Sequence, residues 1–439
     1  MSAERAGPRG ASPSMPVAEM GPLVREQHGP GGTAGGPRES RPMKIRYLIM
    51  NAYGVGGTIR TVINQANAMA ARHDVELVSV FRTRRTPAFH VDPRVRLRVL
   101  ADRGGSRWRH PLRTVLARRP SRLIPPAETR YATFNRYSDV RIARYLRSLH
   151  GGVLVTTRPA LNLMAARFAP DDVVRVAQEH MHFDSHKPEL AAEITRWYPG
   201  LDAVVALTQA DATRYAAALD GTGTEPVVIP NALTPGDRRP ADLAGRIVVA
   251  AGRLTRQKGF DLLIKAFAVV ADAHPDWQLR IYGDGRERAR LQHLIHGLHL
   301  DNHVFLMGGT TALEEEFAKG AVFVLSSRFE GFGMVLVEAM AHGLPVVAFD
   351  CPHGPGEIVT HGTDGLLVPP RDVSGLVAAI GRLVADEPLR HRLGSAARAT
   401  AARYEMDDIR LRWERLFATL AAARSGRAPA PWPEAAELG

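Results

Sequence analysis

Residues 326–340, SSRFEGFGMVLVEAM, run from the end of an apolar stretch through a glycine-rich turn into a helical pattern. The residues just before them, VFVL at 322–325, are a short β-branched run of the kind buried in a parallel sheet. Strand, turn and helix in that order resemble a phosphate seat. Gly331 and Gly333, with Phe332 between them, let the backbone approach a ligand closely, and the free N–H groups from Met334 onward point toward an anion. Glu330 stands at the mouth of the turn. Glu338 lies in the second helical turn, where its carboxylate can accept a bidentate hydrogen bond from a ribose diol. The plainer role for a glutamate near a helix start is compensation of the helix dipole.

The same alternation extends outward in both directions. Strand patterns occur at 247–251, 278–282, 304–307 and 345–348, with helical patterns at 260–273, 286–296, 313–319 and 334–342 and an almost wholly helical stretch at 373–423. An earlier series has strands at 44–50, 75–81, 153–156, 173–178, 203–207 and 227–229, opening with a helix at 58–72. Between the two series, PNALTPGDRRP at 230–240 has the composition of a linker. Two alternating series mean an α/β protein: two Rossmann-like, doubly wound parallel sheets facing a central cleft, with C-terminal helices. The expected divisions are a first domain at 43–229, a linker at 230–245 and a second domain at 246–405. A helix at 406–423 is expected to pack back on the first domain, followed by a flexible tail at 424–439. Residues 1–42, rich in Gly, Pro, Ser and Ala, read as a disordered tail, with Met43 the expected start of translation.

A chain of 439 residues with 45% hydrophobic side chains can bury two sizeable cores. The single cysteine, Cys351, excludes a disulfide framework and any Cys-based metal cluster, and fits a reducing compartment. No apolar run reaches the ~18 residues that span a bilayer, so the expected location is the cytoplasm or the inner face of the cell membrane. The net charge of +12 is uneven. The first 150 residues carry 27 basic and 10 acidic side chains, and the remainder is net acidic by 5. Aromatics interleave with the basic stretch 103–147, as in Arg107-Trp108-Arg109 and Arg130-Tyr131, which suits anionic lipid headgroups or a phosphate-containing acceptor polymer. No nucleic-acid motif accompanies the charge, so nucleic acid is not expected as a partner.

Glu330 and Glu338, enclosing GFG, resemble the paired-glutamate motif of the retaining GT-B glycosyltransferases, the large group often called family 4. Other segments are similar to that family as well: AGRLTRQKGF at 251–260, YGDG at 282–285, DCPHGPGEIV at 350–359 and GLLVP at 365–369. The resemblance implies that Arg253 and Lys258 hold the diphosphate of a sugar nucleotide, that Gly283 and Asp284 lie beside the nucleoside, and that no metal or other cofactor is required. Two cations suit this role because the departing nucleoside diphosphate gains charge in the transition state. Arg253 offers a planar fork and Lys258 a compact point charge. In the first domain, GVGGT at 54–58 assigns Gly56 and Gly57 to the opposite wall, although Thr58 and Arg60 stand where many relatives have a small residue and a glutamate. VVRVAQEHMHF at 173–183 ends a strand with His180, the expected contact to sugar or acceptor, with His182 as the alternative.

The activity implied is transfer of a sugar, with retention, from a nucleotide sugar, most often a UDP-sugar in this family. The acceptor hydroxyl belongs to an anionic cell-envelope polymer of the teichoic type, a lipid-linked sugar or a small metabolite. Two rivals remain. Gly54, Gly56 and Glu76 imitate part of a dinucleotide fingerprint, but Ile59 occupies the third glycine position. A non-catalytic polyanion-binding protein would use the basic third and leave Arg253, Lys258, Glu330 and Glu338 without a role.

Overall fold

The computed structural model describes residues 42–102 and 111–426. Among these residues thirteen strands form two sheets, and every strand pair is parallel. The first sheet contains β1 (Lys44–Ile49), β2 (Asp74–Arg82), β3 (Arg96–Asp102), β4 (Val153–Thr156), β5 (Val174–Gln178), β6 (Ala203–Ala206) and β7 (Pro226–Val228), in the order β3-β2-β1-β4-β5-β6-β7. The second contains β8 (Ile247–Ala251), β9 (Gln278–Tyr282), β10 (Val304–Gly308), β11 (Val322–Leu325), β12 (Val346–Phe349) and β13 (Gly365–Val368), in the order β10-β9-β8-β11-β12-β13.

Each sheet is apolar on both faces because helices cover both. In β1, Ile45, Tyr47 and Ile49 pack on one side with Val62 and Ile63, while Leu48 packs on the other with Ile142 and Leu146. The second sheet repeats this, with Val248 and Ala250 facing Phe267 and Ile380, and Val249 and Ala251 facing Phe317 and Met340. In both sheets the strand order reverses beside the first strand, between β1 and β4 and between β8 and β11. Such a switch point leaves a crevice at the carboxyl ends of the strands, where ligands bind in doubly wound sheets. The loops after β1, β8 and β11 are therefore the ones placed for chemistry.

Residues 229–246 contain no helix or strand. The almost wholly helical stretch 373–423 consists of three α-helices, Val373–Ala385, Glu387–Ala401 and Met406–Arg424. The third returns to the first sheet, where Ile409, Trp413 and Phe417 join the core of Ile45 and Tyr47. Arg424 fastens its end with two 2.8 Å hydrogen bonds to Asp202. Full burial of side chains such as Trp413 and Phe417 stabilises by about 1.5–3 kcal/mol each.

Two strands were not expected. β3 alternates arginine with apolar residues, and its arginines lie on β2 carboxylates, Arg96 on Asp74 at 2.8 Å and Arg98 on Glu76 at 3.3 Å. Part of the basic charge counted before residue 103 is thus paired within the sheet. β13 is the edge strand made by Gly365–Val368, which the sequence showed only as a closing segment. Residues 1–41, 103–110 and 427–439 lie outside the described residues, and with them Met1, most of both expected tails and the Arg107-Trp108-Arg109 part of the basic stretch; Arg424, the expected first residue of the second tail, instead ends the last helix. No helix among the described residues is long and apolar enough to cross a membrane.

Candidate active site

The loop after β8 is pinned to the end of β11 by a glycine. Gly259 has φ +65°, and a Cβ there would lie 1.9 Å from the carbonyl oxygen of Ser326. Three hydrogen bonds reinforce the contact: Ser326 Oγ donates to Lys258 O at 3.0 Å, Arg328 N to Gln257 O at 2.8 Å, and Gln257 Nε2 to Phe329 O at 3.0 Å. Lys258 is thereby aimed at Glu330, with Nζ 2.5 Å from Oε1, an oxygen that also accepts a hydrogen bond from Ser327 Oγ. Both side chains are largely buried, 14% and 7% exposed. Glu330 sits one residue before the glycine-rich turn that leads into the helix Met334–Ala341, so the buried cation lies beside that turn.

Gly333 caps that helix with φ +98°. The Phe332 ring does not face the cleft but packs in the core against Tyr404, at 5.7 Å between centroids, so only its backbone is available to a ligand. Met334 likewise packs against the core. Arg253 is exposed, and its guanidinium has no acceptor among the described residues. Gly283 lies one strand over, where a Cβ would come 1.9 Å from Gly252 O, so a side chain there would force β9 and β8 apart. Asp284 accepts a 2.9 Å hydrogen bond from Gly309 N and so holds the turn after β10.

The first half supplies the opposite wall. Gly56 and Gly57 are exposed, with open space where a Cβ would stand, at the start of the helix Gly57–Met69. One turn along, Arg60 Nη1 lies 3.6 Å from Glu338 Oε1, so the residue that departs from the family pattern meets the expected ribose acceptor across the cleft. Burial raises the pKa of Glu338, and the Arg60 charge opposes that rise.

His180 and Gly331 approach closely, since a Cβ on Gly331 would stand 3.3 Å from His180 O. Its Nε2 is buried and has no protein partner among the described residues. Burial and the nearby Arg158 charge push its pKa down to about 4, leaving a neutral imidazole at pH 7. Beneath it, Glu179 is fully buried, accepting hydrogen bonds from Tyr198 OH and from Asn162 Nδ2, the latter at 2.7 Å. Burial raises its pKa to about 8. His182 stacks on His353, with centroids 4.5 Å apart, and meets the edge of Phe329 at 6.4 Å.

The structure thus gathers Lys258, Glu330, Gly331, Glu338, His180 and Arg60 around one crevice, with Arg253 at its rim and Gly283 and Asp284 to one side. Sequence reasoning gave no role to His353 or Glu357, although both lie in the quoted segment DCPHGPGEIV. Glu357 accepts from Gln209 N at 2.6 Å and Ala210 N at 2.8 Å, capping a helix of the first half from the second. Both signals are visible only once the halves are brought together. Glu76, the acid of the dinucleotide reading, is occupied by Arg98 and by Tyr145 OH at 3.0 Å. Among the described residues, no group of His, Cys, Asp and Glu is arranged to hold a metal ion.

Residues 238–400 match the family model of glycosyl transferases group 1. That stretch contains every second-half residue of the crevice. The chain is 40% identical over 396 residues to an exopolysaccharide phosphotransferase of Streptomyces coelicolor, covering 87% of this chain and 41% of the relative. It therefore spans about two fifths of that protein's length. An uncharacterized glycosyltransferase of Haemophilus influenzae is 26% identical, covering 84% of this chain and 99% of the relative. A poly(glycerol-phosphate) alpha-glucosyltransferase of Bacillus subtilis is 32% identical, covering 38% of this chain and 24% of the relative.

Among solved structures, sucrose-phosphate synthase from Thermosynechococcus elongatus superposes with TM-score 0.70 at 20% identity, covering 87% of this chain and all of the other. Staphylococcus aureus TarM, in complex with Fondaparinux, alpha-GlcNAc-glycerol and UDP, superposes with TM-score 0.67 at 16% identity, covering 85% and 99%. The chain has the GT-B fold these structures share, and its match to the group 1 model lies in its second half.

Proposed function

We propose that this chain is a glycosyltransferase that moves a sugar from a nucleotide sugar to an acceptor hydroxyl. The observation carrying this reading is the buried Lys258 beside Glu330 at the glycine-rich helix start. A cation held there is already in place when the leaving diphosphate gains charge, so it stabilises the transition state more than the ground state. Arg253 adds a second cation from the rim, and the two cations together take the place of a metal. Glu338 suits the ribose hydroxyls. His180, neutral and with an unpartnered ring nitrogen, suits a hydroxyl of the transferred sugar or the acceptor.

The finer reading follows relatives and resemblance. UDP is the favoured nucleotide because UDP occupies the TarM complex. A phosphate-containing envelope polymer is the favoured acceptor because the Bacillus relative is named for poly(glycerol phosphate). Retention and action at the cytoplasmic face of the membrane belong to the same proposal. The test is to incubate the protein with UDP-, GDP- and ADP-sugars plus cell-envelope extract and to measure nucleoside diphosphate release. At least one donor should be consumed, and Lys258→Ala and Glu330→Gln should each slow release about 10²- to 10³-fold. No release from any donor, or unchanged release in both variants, would contradict the proposal.

A further inference from the structure

A second cationic feature lies beside the crevice. A groove of about 640 Å³ is lined by Arg253, Arg256, Arg286, Arg328 and Arg371 together with Phe329. Arg328 is neutralised by Asp261, through hydrogen bonds of 2.9 and 2.8 Å. Arg290 also reaches Asp261 at 3.7 Å and takes Glu287 at 2.6 Å, so the neighbouring carboxylates are already engaged. Arg253, Arg256, Arg286 and Arg371 are exposed and have no carboxylate partner among the described residues. They project from three separate loops at the carboxyl end of the second sheet, Arg253 and Arg256 after β8, Arg286 after β9 and Arg371 after β13, and their charges add over one groove.

The floor of this groove is rigid. Arg328 Nη1 donates to Arg256 O at 2.6 Å, and the same backbone clamps that aim Lys258 hold residues 256–257 against 328–329. Phe329, 45% exposed, forms the side toward the cleft, where its ring meets His182 of the first half. The groove therefore opens onto the crevice where an acceptor hydroxyl must arrive. Four unpaired guanidiniums spread along a groove suit a ligand with several separated phosphates better than one compact phosphate, because each planar fork binds two oxygens of one group.

We propose that this groove holds the chain of a phosphodiester-linked glycan or polyol acceptor, with Arg256, Arg286 and Arg371 on successive phosphates and Arg253 at the junction with the donor. This rests on the glycosyltransferase reading, since it names the acceptor class. The test uses a short fluorescein-labelled poly(glycerol phosphate) oligomer, a neutral maltooligosaccharide of equal length and phosphatidylglycerol vesicles. It compares wild type with the triple variant Arg256→Gln, Arg286→Gln, Arg371→Gln. The wild type should bind the phosphate oligomer and not the neutral one. The triple variant should lose at least about tenfold in oligomer affinity, with a flatter dependence on salt. UDP should raise the melting temperature of both proteins equally.

Equal oligomer binding by the two proteins, or equal binding of the neutral oligomer, would overturn the proposal. Loss of the UDP shift in the triple variant would also overturn it, by placing these arginines in the donor seat. Vesicle binding lost in the variant while oligomer binding persists would assign the groove to a membrane instead. If the donor panel shows no nucleotide release, the glycosyltransferase reading fails whatever the oligomer does. If release occurs and the oligomer does not bind, the groove proposal alone fails.

Discussion

Two ion pairs face the same crevice, and they are built differently. Lys258 and Glu330 both come from the second half, are largely buried and lie 2.5 Å apart. Their positions follow from local backbone constraints, namely Gly259 against Ser326 and the clamp between 257–258 and 326–329. Arg60 and Glu338 come from opposite halves, lie 3.6 Å apart and are 38% and 22% exposed. Their distance depends on how the halves meet, which the Glu357 cap and the His182–His353 stack help to set. The first pair is preorganised chemistry, and the second reports on closure.

The largest effect should come from breaking the first pair. Lys258→Ala leaves a buried carboxylate without its cation, which typically costs about 3–5 kcal/mol of stability. The urea midpoint should fall clearly, along with the loss of turnover. Adding Glu330→Gln should restore much of the stability and none of the turnover, which separates the structural role of the pair from its catalytic one.

Gly259→Ala should come next. The added methyl meets the Ser326 carbonyl and sits at a left-handed φ, so strain of about 1–3 kcal/mol is expected before any relaxation of the clamp. Donor turnover should fall with it although no ligand-facing group has changed. Unchanged turnover would show that Lys258 does not need this backbone path.

Arg60→Ala should be milder. An ion pair this exposed contributes about 0–1 kcal/mol, so stability should barely move. The effect should appear as a rise of a few fold in the donor KM, larger at lower pH, because losing the Arg60 charge lets burial raise the Glu338 pKa further. A fall in kcat with unchanged KM would place Arg60 in the chemistry instead of the wall.

The smallest expected effect is a pH dependence under His180. The folded-state pKa of Glu179 is about 8 against an ordinary 4.5, so the folded state keeps a proton that the unfolded chain releases. Its contribution is fully present below about 4.5 and is lost as pH rises through about 8. His180 runs in the opposite sense. Its folded pKa of about 4 lies below the ordinary 6.5, so stability is lost as pH falls from 6.5 through about 4. Glu179→Gln should therefore flatten the decline in urea midpoint between pH 7.5 and 8, a full unit above the ordinary pKa of 6.5 at which His180 titrates in the unfolded chain. A parallel decline in both proteins would reject the assignment.

Much of the second half was legible in the sequence because its signals are local. A β-branched run, a glycine turn and an apolar helix lie within residues 322–341, and their neighbours in space are their neighbours in the chain. β3 was not legible, since arginines at alternate positions look like surface charge until β2 supplies Asp74 and Glu76. Phe332 looked like a ligand contact because it sits between two glycines, whereas the turn directs its ring inward onto Tyr404, 72 residues later. Arg60, His353 and Glu357 act across the cleft, and no local pattern shows which side chains two sheets will bring face to face. The arginine groove was missed for the same reason, being assembled from three separate loops and the end of β11.

The central claim is that the second half seats a nucleoside diphosphate on a prearranged cation. Calorimetric titration with UDP tests it most directly, on the wild type, Lys258→Ala and Arg60→Ala. The account predicts saturable binding by the wild type, at least about tenfold weaker binding by Lys258→Ala, and a loss of only a few fold by Arg60→Ala. Equal affinity in the wild type and Lys258→Ala, or a larger loss in Arg60→Ala than in Lys258→Ala, would contradict it.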